Sequence, residues 1–139
     1  MVSAKLQQLL ETLEGATTEN GLAMSVSVVD EIEELLQVTI EGREEFPIMV
    51  DIDEEQITCT VNLWSEEEVI ADKMDEMIQS MLMANIPMPL SAFGKTGSMF
   101  QLFGAMSVNT IMENVIQELS LLSDNTLDAF DALGVYLKK

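Results

Sequence analysis

The feature that most constrains the fold is a series of four short segments in which apolar and polar residues alternate. Alternation with a period of two is typical of a β-strand that buries one face. Short polar turns separate the segments, so they favour hairpins rather than long crossovers. The sequence therefore predicts an antiparallel meander with the inward-facing residues Met24, Val26, Val28, Leu36, Val38, Ile40, Phe46, Ile48, Val50, Ile52, Ile57, Cys59, Val61 and Leu63.

Segments with helical spacing lie on both sides of the meander. Apolar residues in the range 6–13 predict a first helix, for which Ser3 can act as N-cap. A second apolar series, in the range 108–137, predicts a last helix capped by Ser107 or Thr110. Its phase slips at residues 123–126, so two interpretations stay open there: one long bent helix, or two helices that meet.

A capping box predicts where the middle helix begins. Ser65 can accept a hydrogen bond from the amide of Glu68, whose carboxylate can reach back to the Ser65 amide. The helix should run to about Ala84, because prolines follow at 87 and 89. Residues 86–97 are predicted to be a loop and residues 99–106 a strand, with a β-bulge at Gly104.

Together these segments predict a single α+β domain over residues 1–139. The expected order is α-β-β-β-β-α-β-α, an antiparallel sheet of about five strands with helices packed on it. The start of the chain lacks the apolar core of a signal peptide, and no run of about 20 apolar residues predicts a membrane span. A cytoplasmic location is therefore expected.

Charge and residue usage argue against several classes of function. The chain carries 25 acidic and 6 basic residues, a formal net charge of −19. That field repels phosphate backbones and anionic lipids and attracts basic protein segments, so we expect no nucleic acid partner and no direct membrane insertion. There is no histidine, the commonest general base and zinc ligand. The single cysteine, Cys59, is interpreted as a small core residue, and no catalytic, cofactor or metal site is predicted.

Two local motifs resemble binding loops but lack residues that such loops need. A calcium-binding EF-hand loop beginning at Asp51 would need glycine at its sixth position, where the chain has Gln56. A phosphate-binding loop ending in Gly94-Lys95 would need a glycine five residues earlier, and that position is Pro89. The first motif is interpreted as a solvated acidic turn, and nucleotide binding is not expected.

The charges are distributed unevenly along the chain. Between Met77 and Met112 the only charged side chain is Lys95. Methionine, frequent in this segment, is also frequent on surfaces that accept varied apolar partners. Two interpretations stay open: the segment is core, or it is an exposed surface for a partner or for dimerisation. The hypothetical partner-binding residues are Met81, Met88, Leu90, Phe93, Met99, Phe100 and Phe103.

A longer motif in the same segment carries a family resemblance. It runs Pro89-Leu90-Ser91-Ala92-Phe93-Gly94-Lys95-Thr96-Gly97 and continues with Phe103-Gly104-Ala105-Met106-Ser107 and, in the last helix, Glu118-Leu119. With the strands of residues 46–64, it resembles the YjfI-like family of uncharacterised bacterial proteins over the whole chain. The resemblance implies no catalytic residues. Genes of this family often neighbour one for a phage-shock-protein-A-like membrane-remodelling protein, which implies such a protein as a candidate partner.

The order of elements also resembles type III secretion chaperones and YbjN-like domains. Those proteins are typically dimers that bind partner segments along apolar patches, so the resemblance implies a chaperone-like fold. The sequence thus predicts a non-enzymatic protein-binding adaptor or chaperone-like protein, with a basic or membrane-peripheral protein partner. Two other interpretations stay open: an enzyme with an unidentified carboxylate or metal site, and a structural homodimer.

Overall fold

The computed structural model describes residues 3–139 and shows one sheet with helices packed on one of its faces. Met1 and Val2, part of the stretch on which the expectation of no signal peptide rests, lie outside the described residues. The elements in chain order are α1 (Ala4–Leu13), β1 (Met24–Asp30), β2 (Leu35–Ile40), β3 (Ile48–Ile52), β4 (Gln56–Ser65), α2 (Met74–Asn85), β5 (Ala92–Thr96), β6 (Met99–Ser107) and α3 (Met112–Leu133).

Within the described residues, the six strands form one antiparallel sheet in the order β1-β2-β3-β4-β6-β5. The α+β class and the meander of the first four strands are confirmed. The expected number of about five strands is too low, because part of the predicted loop forms β5. Gly97, with a φ of +58°, lies in the tight turn that joins β5 to β6. The residues of β5 do not alternate between apolar and polar, so the sequence pattern does not indicate this strand.

The main hydrophobic core lies between one face of the sheet and the helices α1 and α3. Inward residues of the meander, such as Val38, Val50 and Cys59, are fully buried there. The helices contribute residues at helical spacing, among them Leu9 and Leu119. Side chains on the opposite face of the sheet are half-buried or exposed. This is the arrangement expected of an antiparallel sheet with one solvated face.

A second, smaller core lies beside the main one, under α2. The register of β4 against β6 shifts between Asn62 and Trp64, and Trp64 then pairs with Phe100. Both rings are almost completely buried. The Trp64 ring meets Phe130 of α3 edge-on, with centroids 5.1 Å apart. The remaining buried members of this cluster are Val69, Met77, Met81 and Leu133.

The predicted capping box forms, but it does not start the middle helix. The Ser65 amide donates to Glu68 Oε1 at 3.1 Å, around a single 3-10 turn at Glu66–Glu68. The chain then extends, because Val69 is buried and forms a β-bridge with Leu137. A further 3-10 turn precedes α2, which begins only at Met74. Pairing with the C-terminal residues therefore overrides the local helix signal.

The last helix is continuous through the phase slip. Of its polar residues there, Ser123 and Thr126 are buried with their hydroxyls satisfied, and Thr126 donates to the Leu122 carbonyl at 2.8 Å. Ser123 accepts a hydrogen bond from Arg43, whose guanidinium also pairs with Asp124 at 2.6 Å. Neither predicted cap is found, since the N-cap is Ile111 and no side chain caps the helix.

Gly104 is not a β-bulge, because its pairing with Cys59 lies in a regular part of the ladder. A side chain at this position would collide with the carboxylate of Glu118, and its Cβ would lie only 2.8 Å from the Leu90 carbonyl oxygen. Glycine is thus needed because α3 and the connection after α2 both approach the backbone of β6 here.

We expect Gly104→Ala to destabilise the protein by about 1–3 kcal/mol, the usual cost of overpacking. Urea unfolding measures the change. Gly134→Ala is the matched control, because nothing lies within 4 Å of the added Cβ and the backbone there is helical. A Gly104→Ala variant as stable as Gly134→Ala would show that α3 does not approach β6 as described.

Candidate binding surface

The segment in which Lys95 is the only charged residue forms the β5 side of the molecule. Residues 77–112 comprise most of α2, the connection to β5, the hairpin of β5 and β6, and the entry into α3. The segment supplies both core and surface, so neither of the two sequence interpretations holds for all of it. Its solvent-exposed part is what a partner could reach.

Helix α2 has apolar residues on opposite sides. Met77 and Met81, one turn apart, face the smaller core and are 0% and 4% exposed. Leu82, Met83 and Ile86 face solvent and are 63%, 68% and 89% exposed. We call these last three residues the apolar strip. Helical spacing in the sequence predicts one apolar face made of Ile70, Met74, Met77, Ile78, Met81 and Leu82, and the exposure of Leu82 corrects that prediction.

The connection between α2 and β5 is held in place from α3. The side-chain amide of Asn125 donates to the Pro89 carbonyl and to Ser91 Oγ, both at 3.1 Å. Leu90 between them has a φ of +60°, which is uncommon for a residue with a side chain. These contacts tie the connection between α2 and β5 to α3.

The edge of β5 is closed at its first half by α2. The Phe93 amide donates to Asn85 Oδ1 at 2.7 Å, and the Asn85 amide group lies 3.5 Å from the Phe93 carbonyl. Both backbone groups point away from β6, where a further strand would pair with them. Asn85 therefore occupies the place of an additional strand at this position.

Two apolar hollows flank α2 and share Phe93 as a lining residue. The larger, of about 310 Å³, lies between the C-terminal part of α2 and α3, and it includes Met88, Asp128 and Ala129. The smaller, of about 160 Å³, lies between α2 and the β5–β6 hairpin, and it includes Leu82. Both are open, shallow depressions in the surface and are lined mainly by apolar side chains.

Five of the seven hypothetical partner-binding residues lie at or near these hollows. Met88 and Phe93 are half-buried and line the larger hollow, and Leu90 is 50% exposed in the adjoining connection. Met81 and Phe100 line the smaller hollow from below, but they belong to the smaller core and are only 4% and 3% exposed.

The other two residues face away from α2. Phe103 is 37% exposed and pairs with Ala92, on the solvated face of the sheet. Met99 shares that face, because it lies an even number of residues from Phe103 along β6. The seven residues therefore do not form one surface. Sequence reasoning missed Met83 and Ile86, although both lie opposite the Met77–Met81 side of a helical wheel.

Lys95, the only charge of the segment, lies at the rim of the smaller hollow. Its ammonium group pairs with Glu66 at 2.5 Å and lies 5.6 Å from the centre of the Phe100 ring. Gly94 and Lys95 lie within β5, and the next element is the strand β6. This environment differs from a phosphate-binding loop, which precedes a helix.

The titratable groups inside the fold are Glu118 and Cys59. Glu118 is 7% exposed and lies against Gly104, and this burial raises the pKa of its carboxyl. Burial, and secondarily the charge of Glu118, raise the pKa of the Cys59 thiol to about 12. Cys59 is thus protonated at neutral pH and poorly suited to nucleophilic attack.

The acidic turn after β3 is organised by its own backbone. Asp53 Oδ1 accepts hydrogen bonds from the amides of Gln56 and Glu55, at 2.7 and 2.8 Å, and these bonds lower the pKa of Asp53. Over residues 3–139, no cluster of three or more acidic, cysteine or histidine side chains is arranged to hold a metal ion.

The fold and surface define a class: an acidic α+β domain with a six-stranded antiparallel sheet and an apolar surface at one sheet edge. The family model described as "Uncharacterized protein conserved in bacteria (DUF2170)" matches residues 3–137, nearly the whole chain, and the chain belongs to this family. A comparison with curated proteins found no match. In the described part of the chain, no helix has both the length and the apolar character needed to span a bilayer.

We expect Glu118→Gln to become more stable relative to the wild type as pH rises. A carboxyl whose folded-state pKa is raised contributes its full stability below the unfolded-state pKa and loses it as pH rises through the folded-state pKa. Glutamine cannot ionise, so the variant avoids this loss. Denaturant unfolding from pH 4 to 8 measures the difference.

Glu54→Gln serves as the control for general repulsion among the acids, because Glu54 is exposed. Its stability difference from the wild type should change little over the same pH range. A Glu118→Gln profile parallel to that of the wild type would contradict the burial of this carboxyl.

Proposed function

We propose that the protein is a non-enzymatic adaptor or chaperone-like protein that binds another protein through the apolar strip and the two hollows beside it. The observation that carries the proposal is the exposure of Leu82, Met83 and Ile86 on neighbouring turns of one helix. Isolated exposed apolar residues are common, but a contiguous group next to apolar hollows is typical of an interaction site.

The charge distribution supports the same function. The apolar strip lies in a segment with a single charge, and the chain as a whole has a formal net charge of −19. Net charge of one sign keeps a protein with an apolar patch soluble and monomeric, and it accelerates encounter with a basic partner. Binding should therefore weaken with salt mainly through slower association.

The buried groups do not favour the enzyme alternative. The Cys59 thiol is protonated at neutral pH, and Glu118 faces Gly104 and the Leu90 carbonyl rather than a substrate-sized hollow. Perturbed carboxyls and thiols are expected at active sites, but only where substrate can reach them. For this reason we propose protein binding rather than catalysis.

The finer assignment rests on the resemblance to the YjfI-like family. It suggests a phage-shock-protein-A-like protein at the membrane periphery as the partner, while the cytoplasmic location is the expectation from the sequence. The match of residues 3–137 to a family of bacterial proteins supports the bacterial part of this assignment.

We expect Ile86→Asp to abolish capture of protein partners from bacterial lysate, because the carboxylate would be desolvated in the apolar contact. Ile32→Asp should leave capture unchanged. These two isoleucines form a matched pair, with 89% and 91% exposure, and Ile32 lies in the β1–β2 turn. Tagged wild-type and variant proteins are compared at low and high salt by quantitative mass spectrometry.

Both substitutions should leave the free energy of unfolding within about 0.5 kcal/mol of the wild type, since they are on the surface. The proposal fails if the same proteins are captured by the wild type and by Ile86→Asp. A wild-type protein that captures nothing but elutes as a dimer would instead favour the structural homodimer.

A further inference from the structure

We infer that the exposed side of α2 is a docking strip in two halves, and that its occupant is a helix of the partner with an apolar half and a Lys- or Arg-rich half. This inference rests on the proposed function and adds the chemistry and shape of the partner segment. The apolar half of the strip consists of Leu82, Met83 and Ile86. The acidic half consists of Asp72, Asp75 and Glu76.

The two halves follow each other along the same helix. Asp72 lies in the 3-10 turn before α2, and Asp75 and Glu76 lie in its first turn, all exposed. From these acids to Ile86 the helix rises about 15–20 Å. The first turn also places its carboxylates at the positive end of the helix dipole, where negative charge is favourable. Lys73 is the only base among them, so this half keeps a negative charge.

Charge complementarity identifies the partner's basic half. Along the described surface, the acids of this half form no ion pair, whereas Glu66 and Asp124 are already paired with Lys95 and Arg43. Asp128 at the larger hollow adds a further carboxylate beside the apolar half. A segment with Lys or Arg over the acids and apolar side chains over Ile86 therefore matches both halves.

The shape of the surface favours a helix over an added strand. Asn85 occupies the outward backbone groups of Phe93, so an extended segment would first have to displace it from the β5 edge. On both sides of α2, by contrast, there is a hollow open to solvent. Apolar side chains spaced one turn apart on a partner helix can enter such a hollow while the helix packs along α2.

A second copy of this chain fits the strip poorly in either orientation. If two strips met in parallel, the acids of one copy would face the acids of the other. If they met head to tail, the carboxylates around Glu76 would be desolvated against Ile86 and Met83. A partner with its own basic half avoids both costs.

The test uses synthetic helical peptides of about 20 residues, long enough to cover the strip. One peptide has a leucine face in one half and lysines in the other. A second carries glutamates in place of the lysines, and a third has the first composition in scrambled order. Fluorescence anisotropy measures binding of each peptide to the full chain in about 0.15 M salt, where long-range attraction is screened.

We expect the lysine peptide to bind and the other two to bind at least about tenfold more weakly. The triple variant Asp72→Asn, Asp75→Asn, Glu76→Gln should weaken binding about tenfold, and Ile86→Asp should do the same. The variant Glu31→Gln, Glu33→Gln, Glu54→Gln removes three exposed acids elsewhere and should change binding by less than about twofold. Circular dichroism and the Tm check the fold of each variant.

Equal effects of the two triple variants would overturn the inference, because binding would then follow net charge rather than the acidic half. Stronger binding of the lysine peptide to Asn85→Ala, with the strip variants unchanged, would indicate strand addition at β5 instead. Light scattering that shows a dimer broken by Ile86→Asp would assign the strip to self-association.

The outcome separates the inference from the proposed function. If Ile86→Asp still abolishes capture from lysate but the lysine peptide fails to bind, only the partner's chemistry is wrong. If Ile86→Asp changes neither assay, the apolar strip is not a binding surface and both fail.

Discussion

The pairing of β4 with β6 is the interaction on which the rest of the structure depends. It joins two segments separated by α2 and β5, in a register that runs from Gln56–Ser107 to Ser65–Met99. Without it β4 would be an exposed edge of a four-stranded meander, and α3, which packs on both β4 and β6, would lose part of its contact surface. With it, β4 is paired along both edges, with β3 and with β6. The strand contributes Val61 to the main core and Trp64 to the smaller one.

The irregularity within that pairing sets the position of α2. The register shift after Asn62 lets Trp64 pair with Phe100. Met77 and Met81 of α2 pack in the same core cluster as these two rings. Because residues one turn apart share a side of the helix, burying these two methionines turns Leu82 and Ile86 outward. The exposure of the apolar strip thus follows from the position at which α2 packs on the smaller core, and nothing else in the described chain covers the strip.

The sequence predicts most of the fold, since alternation revealed the inner residues of β2, β3 and β4 and helical spacing revealed α1 and α3. It failed where tertiary contacts outweigh local signals. Glu68 completes its capping box, yet the burial of Val69 and its bridge to Leu137 delay the helix. β5 has no alternation because Gly94 and Lys95 follow Phe93, and its pairing with β6 is what defines it. For the surface, charge located the segment, but only the orientation of α2 separates exposed Ile86 from buried Met81.

Charge segregation also explains how a small domain can leave such a strip uncovered. An apolar group of this kind promotes self-association, which a formal net charge of −19 opposes at moderate salt. Charged residues are fewest in the segment that forms the β5 side, where the hollows lie. Asp75 and Glu76 directly precede this segment in the chain. An approaching molecule therefore meets the acidic field first and the apolar contact last. Such a surface suits a protein that must meet its partner rapidly through electrostatic attraction. A stable complex then also requires apolar side chains on the partner that fit the apolar strip.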